Sequence, residues 1–184
     1  MRLVGAERVG NVAFDAIYRE NVDGVFGFLC RRVGAQAAQD LTAETFCRAF
    51  AAYSRYEDRG LPERAWLFRI AYNLVVGESR RRRPELIPLD ERLLVADSLI
   101  ESGQDGEAQY SRGRIAEALS VLASLPTRQR SVIELRFLQE LTVAETAVVL
   151  DSNEDAVRAL TYRALRALRA AYSERQAHRD GVVS

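Results

Sequence analysis

Residues 62–83 read Pro-Glu-Arg-Ala-Trp-Leu-Phe-Arg-Ile-Ala-Tyr-Asn-Leu-Val-Val-Gly-Glu-Ser-Arg-Arg-Arg-Arg, and the rest of the chain is arranged on either side of this stretch. Proline suits a first helical turn, where its missing N–H costs nothing, and Glu63 beside it suits the positive helix end. Trp66, Ile70 and Leu74 recur every fourth residue, so the spacing predicts a helix that buries these three on one face. Arg69, Asn73 and the run Arg80, Arg81, Arg82 and Arg83 are left for another surface. A helix that is aromatic on one side and guanidinium-rich at its tail is a candidate nucleic-acid contact.

Upstream, Phe14, Tyr18, Val22, Val25, Leu29 and Val33 follow a helical period that ends near Gly34. A second helix is expected from about Asp40 to Tyr53, with apolar contacts from Leu41, Phe46, Ala49, Phe50 and Tyr53. Asp40, Glu44 and Arg48 recur on it at i, i+4 and i+8, which makes one exposed charged stripe. By pattern alone such a stripe is a solvated face with internal ion pairing. Tyr56-Glu57-Asp58-Arg59-Gly60-Leu61-Pro62 then breaks the chain with turn residues before the arginine-tailed helix begins. Three helices with short connections predict a compact all-α unit over residues 12–84.

Asp40-Leu41-Thr42-Ala43-Glu44-Thr45-Phe46, followed by Arg64-Ala65-Trp66-Leu67-Phe68-Arg69-Ile70-Ala71-Tyr72-Asn73-Leu74 and the arginine run, resembles region two of extracytoplasmic-function (ECF) sigma factors of bacterial RNA polymerase, of actinobacterial type. The resemblance implies that the helix from Asp40 docks on the clamp helices of the largest polymerase subunit through Asp40, Glu44, Thr45 and Arg48. It also implies that the loop and helix from Tyr56 to Asn73 bind the minus-ten promoter element and capture a flipped base. Such a base needs a stacking wall and polar groups that read its edge. Asn73 is the candidate edge reader. Arg59, Arg69, Arg80, Arg81, Arg82 and Arg83 are candidate phosphate contacts, and Trp66 belongs either to the core or to the DNA surface.

Downstream, residues 85–107 carry seven acids against one arginine, Arg92, with Pro84 and Pro88 flanking one end and glycines at the other. This composition predicts an acidic flexible linker, placed at residues 85–110. In the resembling family the equivalent segment threads toward the active-site cleft and RNA exit channel. Beyond it, Ile115, Leu119 and Leu122 begin a helix that stops before Pro126, and Thr127 is positioned to cap the next, which carries Val132, Ile133, Leu135 and Phe137. Thr142-Val143-Ala144-Glu145 fits a capping box. After the polar break Asp151-Ser152-Asn153, a last helix turns Val157, Leu160, Ala164 and Leu168 inward and presents Arg158, Tyr162, Arg166 and Arg169 elsewhere. Two helices joined by a three-residue turn describe either a helix-turn-helix or a small bundle with a basic surface.

Leu125-Pro126-Thr127-Arg128-Gln129-Arg130, Leu135-Arg136-Phe137, Leu141-Thr142-Val143-Ala144-Glu145-Thr146-Ala147, Ala156-Val157-Arg158 and Tyr162-Arg163-Ala164-Leu165 are similar to region four of the same family. That likeness implies a second domain over residues 111–173 that binds the minus-thirty-five element and the polymerase flap. Arg158 is then the candidate for a base edge, and Tyr162, Arg163 and Arg166 are candidates for the backbone. Two positions depart from the family: Asp151 stands where the turn usually holds glycine, and Leu160 stands where a basic residue is usual. Glu154 and Asp155 suit the positive helix terminus but repel phosphate.

Net charge is zero, so polyanion binding has to rest on how the charge is distributed. All 26 basic residues are arginine, whose planar guanidinium grips phosphate and guanine edges bidentately. Cys30 and Cys47 are too few for a metal site and are expected as buried free thiols, and His178 lies in a polar tail. No nucleotide loop, catalytic triad or metal cluster is legible, so the chain is expected to be neither an enzyme nor a cofactor binder. No apolar run approaches a membrane span and no signal-peptide core is present, which predicts a cytoplasmic protein without membrane insertion. The expected architecture is therefore all-α, two small helical domains joined by an acidic flexible linker. The partners that the family resemblance implies are core RNA polymerase, promoter DNA and an anti-sigma factor. The alternatives are a stand-alone helix-turn-helix regulator or a module held chiefly by an inhibitor.

Overall fold

The computed structural model describes the backbone of residues 3–54, 56, 62–81 and 106–182, and side chains over 13–54, 56, 62–77 and 114–175. Seven α-helices and no strand occur among these residues. The first three, α1 (Leu3–Val33), α2 (Ala35–Tyr53) and α3 (Glu63–Arg81), pack on one another as one compact unit. The bulk of α4 (Gly106–Ser124), α5 (Thr127–Ile133), α6 (Val143–Val149) and α7 (Glu154–Val182) belongs to a second. Helix α4 opens inside the stretch read as linker up to residue 110. The rest of that linker, from 85 to 105, lies outside the described residues.

Gly34 separates α1 from α2 at φ 81°, a left-handed conformation open to glycine because it has no Cβ. Its N–H donates to the Cys30 carbonyl at 3.0 Å and its own carbonyl receives the Ala38 N–H at 3.0 Å, so one residue ends a helix and starts the next. Pro62 does the equivalent for α3, accepting from the Ala65 N–H at 2.9 Å. The core between the three helices is built on Val25, Phe28, Leu29, Leu67 and Phe68, all fully buried. The Phe28 and Phe68 rings meet edge to face at 5.5 Å and 88°. Ala38, Ala49, Ala65 and Ala71, also fully buried, let the backbones approach closely.

Two predicted faces are corrected. On α1 the predicted Phe14, Val25 and Leu29 are buried and are joined by Ile17, Asn21 and Phe28, whereas Tyr18 is 44% exposed. Asn21 is admitted because its amide donates to the Ile17 carbonyl at 2.8 Å. On α3 the buried residues are Ala65, Leu67, Phe68, Ala71 and Val75, while Trp66, Ile70 and Leu74 are only half-buried. Each residue advances about 100° around a helix, so both rows have helical spacing. Phe68 interlocks with Phe28 and Leu67 is buried beside it in sequence, and this sets the rotation that leaves Trp66 at the rim.

In the second unit Pro126, not Thr127, occupies the helix-start position of α5, and Thr127 is already helical. The helix continues as a π-helical turn over Glu134–Leu138, with the Gln139 N–H donating to the Glu134 carbonyl at 2.9 Å. Glu134 is fully buried and bonded to Arg130 Nε at 2.9 Å. The capping box forms as read: Thr142 N–H donates to Glu145, and the Glu145 N–H donates to Thr142 Oγ1 at 3.2 Å. Helix α7 packs on α4 and α5, burying Val157 and Ala164. It runs on to Val182, so the polar tail around His178 is helical.

Candidate protein and nucleic-acid surfaces

Helix α2 turns its apolar side to the core and leaves Asp40, Ala43, Glu44, Cys47 and Arg48 exposed on the opposite face. Glu44 and Arg48 are paired at 2.6 Å, with 47% and 59% of their side chains accessible. A solvated i, i+4 pair is worth only about 0.3–0.5 kcal/mol, so these side chains can exchange their mutual contact for one with a partner. Thr45 is not part of this face. It is fully buried and its hydroxyl donates to the Leu41 carbonyl at 2.7 Å, which removes it as a direct contact. Cys47 is exposed, contrary to the expectation of two buried thiols, while Cys30 is buried. The helical phase that carries Phe46 inward carries its neighbour outward.

Helix α3 presents a different chemistry. Trp66, Arg69 and Asn73 follow at i, i+3 and i+7, so they share one side of the helix, with Arg69 and Asn73 exposed. The Trp66 ring lies 4.8 Å from that of Tyr56, tilted by 36°, and Tyr56 stacks on Tyr53 at 6.3 Å and 8°. Tyr53 in turn meets Phe14 edge-on at 5.4 Å. A series of rings thus leads from the core to the row carrying Asn73. The Tyr53 hydroxyl donates to Glu63 Oε1 at 3.3 Å. Burial first, then the charge and hydrogen bond of Glu63, hold the Tyr53 phenol above its ordinary 10.0. In the sequence Tyr53 was read only as an apolar contact and Tyr56 only as the start of the turn-rich break, so the ring series they form with Trp66 was missed. Two tyrosines three residues apart, entering a turn-rich break ahead of a tryptophan, were the available signal.

Arg80 and Arg81 belong to the last turn of α3, with side chains outside the described set, and Arg59, Arg82 and Arg83 lie outside the described residues altogether.

On α7, Asn153 Oδ1 accepts the Ala156 N–H at 2.8 Å and caps the helix. Arg158 is held by two carboxylates of the first turn, Nη2 to Glu154 at 2.6 Å and Nη1 to Asp155 at 2.9 Å. Tyr162 is 63% exposed with the Arg166 guanidinium 5.9 Å from its ring centre. Arg163 is exposed and its Nε donates to the Ala159 carbonyl at 3.3 Å. Leu160 is half-buried, which places it between the core and this face. No helix among the described residues is long and apolar enough to cross a membrane.

A unit of three helices carrying an aromatic and arginine-bearing surface, and a unit of four ending in a capped helix-turn-helix, define a sigma-70-type architecture. Residues 17–85 match the model of Sigma-70 region 2 and residues 121–170 match Sigma-70, region 4. The chain is 36% identical over 170 residues to the ECF RNA polymerase sigma factor BldN of Streptomyces coelicolor, a match covering 91% of this chain and 64% of that protein. It is 35% identical over 136 residues to the ECF RNA polymerase sigma factor ShbA of Streptomyces griseus, covering 72% of this chain and 70% of ShbA. Among solved structures, CnrH in complex with the cytosolic domain of CnrY superposes with a TM-score of 0.63 at 26% identity, over 89% of this chain and 90% of that one. The chain belongs to the ECF sigma factors of bacterial RNA polymerase.

Proposed function

We propose that this chain directs RNA polymerase to a two-part promoter and captures the melted strand. Residues 12–84 are the polymerase-binding and minus-ten-binding domain. Residues 111–173 are the minus-thirty-five-binding domain, its first helix extended back to Gly106. The observation that carries this reading is the ring series Tyr53, Tyr56 and Trp66 beside exposed Arg69 and Asn73. Contact with duplex backbone alone requires arginines but no stack of rings. An unpaired strand, by contrast, gains about 1–3 kcal/mol per base from aromatic stacking, which offsets the few kcal/mol needed to take a base out of the duplex.

In this mechanism Asp40, Glu44 and Arg48 dock on the clamp helices of core polymerase, and the flap engages the second domain. Arg158 reads a base edge while Tyr162, Arg163 and Arg166 hold the backbone of the upstream element. Asn73 reads the edge of an extruded base, Trp66 and Tyr56 wall it, and Arg59, Arg69 and Arg80 to Arg83 neutralise phosphates of the displaced strand. Phosphodiester chemistry belongs to the polymerase, so the chain acts by binding in the cytoplasm without a catalytic group of its own. An anti-sigma factor is a further partner, supported by the complex of the similar CnrH with the cytosolic domain of CnrY.

The test is co-elution of the purified chain with bacterial core RNA polymerase, followed by transcription from a library of promoter fragments. Co-elution with selection of fragments sharing two separated elements is expected. A chain that ignores core polymerase yet shifts duplex DNA alone would replace this reading with that of a stand-alone regulator.

A further inference from the structure

We infer that Glu154 and Asp155 form a latch on Arg158 that sharpens selection of the promoter duplex against other DNA, an inference that rests on the promoter reading above. Both terminal nitrogens of Arg158 are occupied, Nη2 by Glu154 at 2.6 Å and Nη1 by Asp155 at 2.9 Å. The same two nitrogens are what a guanidinium offers when it bonds guanine O6 and N7 together. The latch lies at the surface, with the Arg158 side chain 57% and that of Asp155 95% accessible, so an approaching groove meets the guanidinium together with its two carboxylates. Capping the helix does not require these carboxylates, because Asn153 already receives the Ala156 N–H.

The electrostatic consequence differs for the two kinds of DNA contact. A phosphate approaching this turn meets two carboxylates and an arginine already neutralised, so the tip contributes no net attraction to arbitrary sequence. A guanine edge presents neutral acceptors in the bidentate spacing that draws the guanidinium away from its carboxylates. Backbone contact is left to Tyr162, Arg163 and Arg166, since no acid occurs between Asp155 and Glu174. Glu154 and Asp155 are thus positioning residues that act through Arg158. They lower affinity for random duplex more than affinity for the selected one.

The experiment uses the full chain, free and bound to core polymerase, with two duplex probes: the fragment best selected from a random library by wild-type holoenzyme, and a scrambled duplex of equal composition. The Glu154→Gln/Asp155→Asn variant is expected to bind the scrambled duplex about tenfold tighter, with a salt slope steeper by about one phosphate contact. The gain on the selected duplex should be under about threefold, so the specificity ratio falls. The exchange Glu154→Asp/Asp155→Glu preserves both charges and should keep the wild-type ratio.

Combining the neutral pair with Arg158→Ala should abolish the gain. Equal gains on both duplexes, or a gain that persists without Arg158, would overturn the latch. A wild-type holoenzyme that selects no fragment would overturn the promoter reading instead, and the latch is then decided on the free chain by whether the gain on scrambled duplex requires Arg158.

Discussion

Asp151 holds φ 50° at the end of α6, in the left-handed region that most side chains avoid. The Ser152 N–H donates to the Ala147 carbonyl at 2.8 Å and the Asp151 N–H to Val148 at 3.2 Å, the two bonds of a Schellman ending. The departure from the glycine usual in this family therefore carries a conformational cost, softened because aspartate tolerates this region better than most residues. Asp151→Gly is expected to raise stability by roughly 0.5–1 kcal/mol, measured as a higher urea midpoint; an unchanged or lower midpoint would contradict it. Tyr53 offers a pH test. Its folded value is raised, so the folded state keeps the proton longer, and the associated stability is complete below the ordinary 10.0 and lost as pH rises through the folded value. Phenolate absorbance should show one late-ionising tyrosine that disappears in Tyr53→Phe and moves earlier in Glu63→Gln.

At the level of single helices, α2 shows how far pattern carries. The stripe Asp40, Glu44 and Arg48 was legible because residues four apart share a face, and the structure leaves all three exposed. Thr45 was not separable from it by type, since threonine occurs both inside and outside; it is buried, as its neighbour Phe46 is, because of the way α2 turns on the core. Replacing Asp40 and Glu44 together by alanine should weaken core-polymerase binding about tenfold in a competition assay while leaving circular dichroism unchanged. Undiminished affinity would remove α2 as the docking face. In α3 the same periodicity misled, because the rows through Trp66 and through Phe68 are both apolar. Only the fit of Phe68 against Phe28 decides between them. That choice places Trp66 beside Tyr56, completing the ring series on which the proposed strand capture rests.

For the molecule as a whole, the proposed function divides recognition between the two units, so their defects should be separable. Asn73→Ala is expected to lower open-complex formation about tenfold, read by permanganate reactivity of unpaired thymines, with polymerase affinity changed less than twofold. Equal loss in both measurements would deny Asn73 a part in strand capture. The chain by itself determined the all-helical class, the two domains, the family, the capping box and the charged stripe. Each of these depends on local spacing or on residue type at short range, where a helix repeats its geometry every turn. Only the tertiary structure decided the buried face of α3, the burial of Thr45, the exposure of Cys47, the ring series through Tyr56 and the pairing of Arg158. The physical reason is that helical periodicity defines rows but not their rotation. Rotation is set by which large side chains interlock across helices, and which way a charged side chain turns is set by the neighbours it finds there.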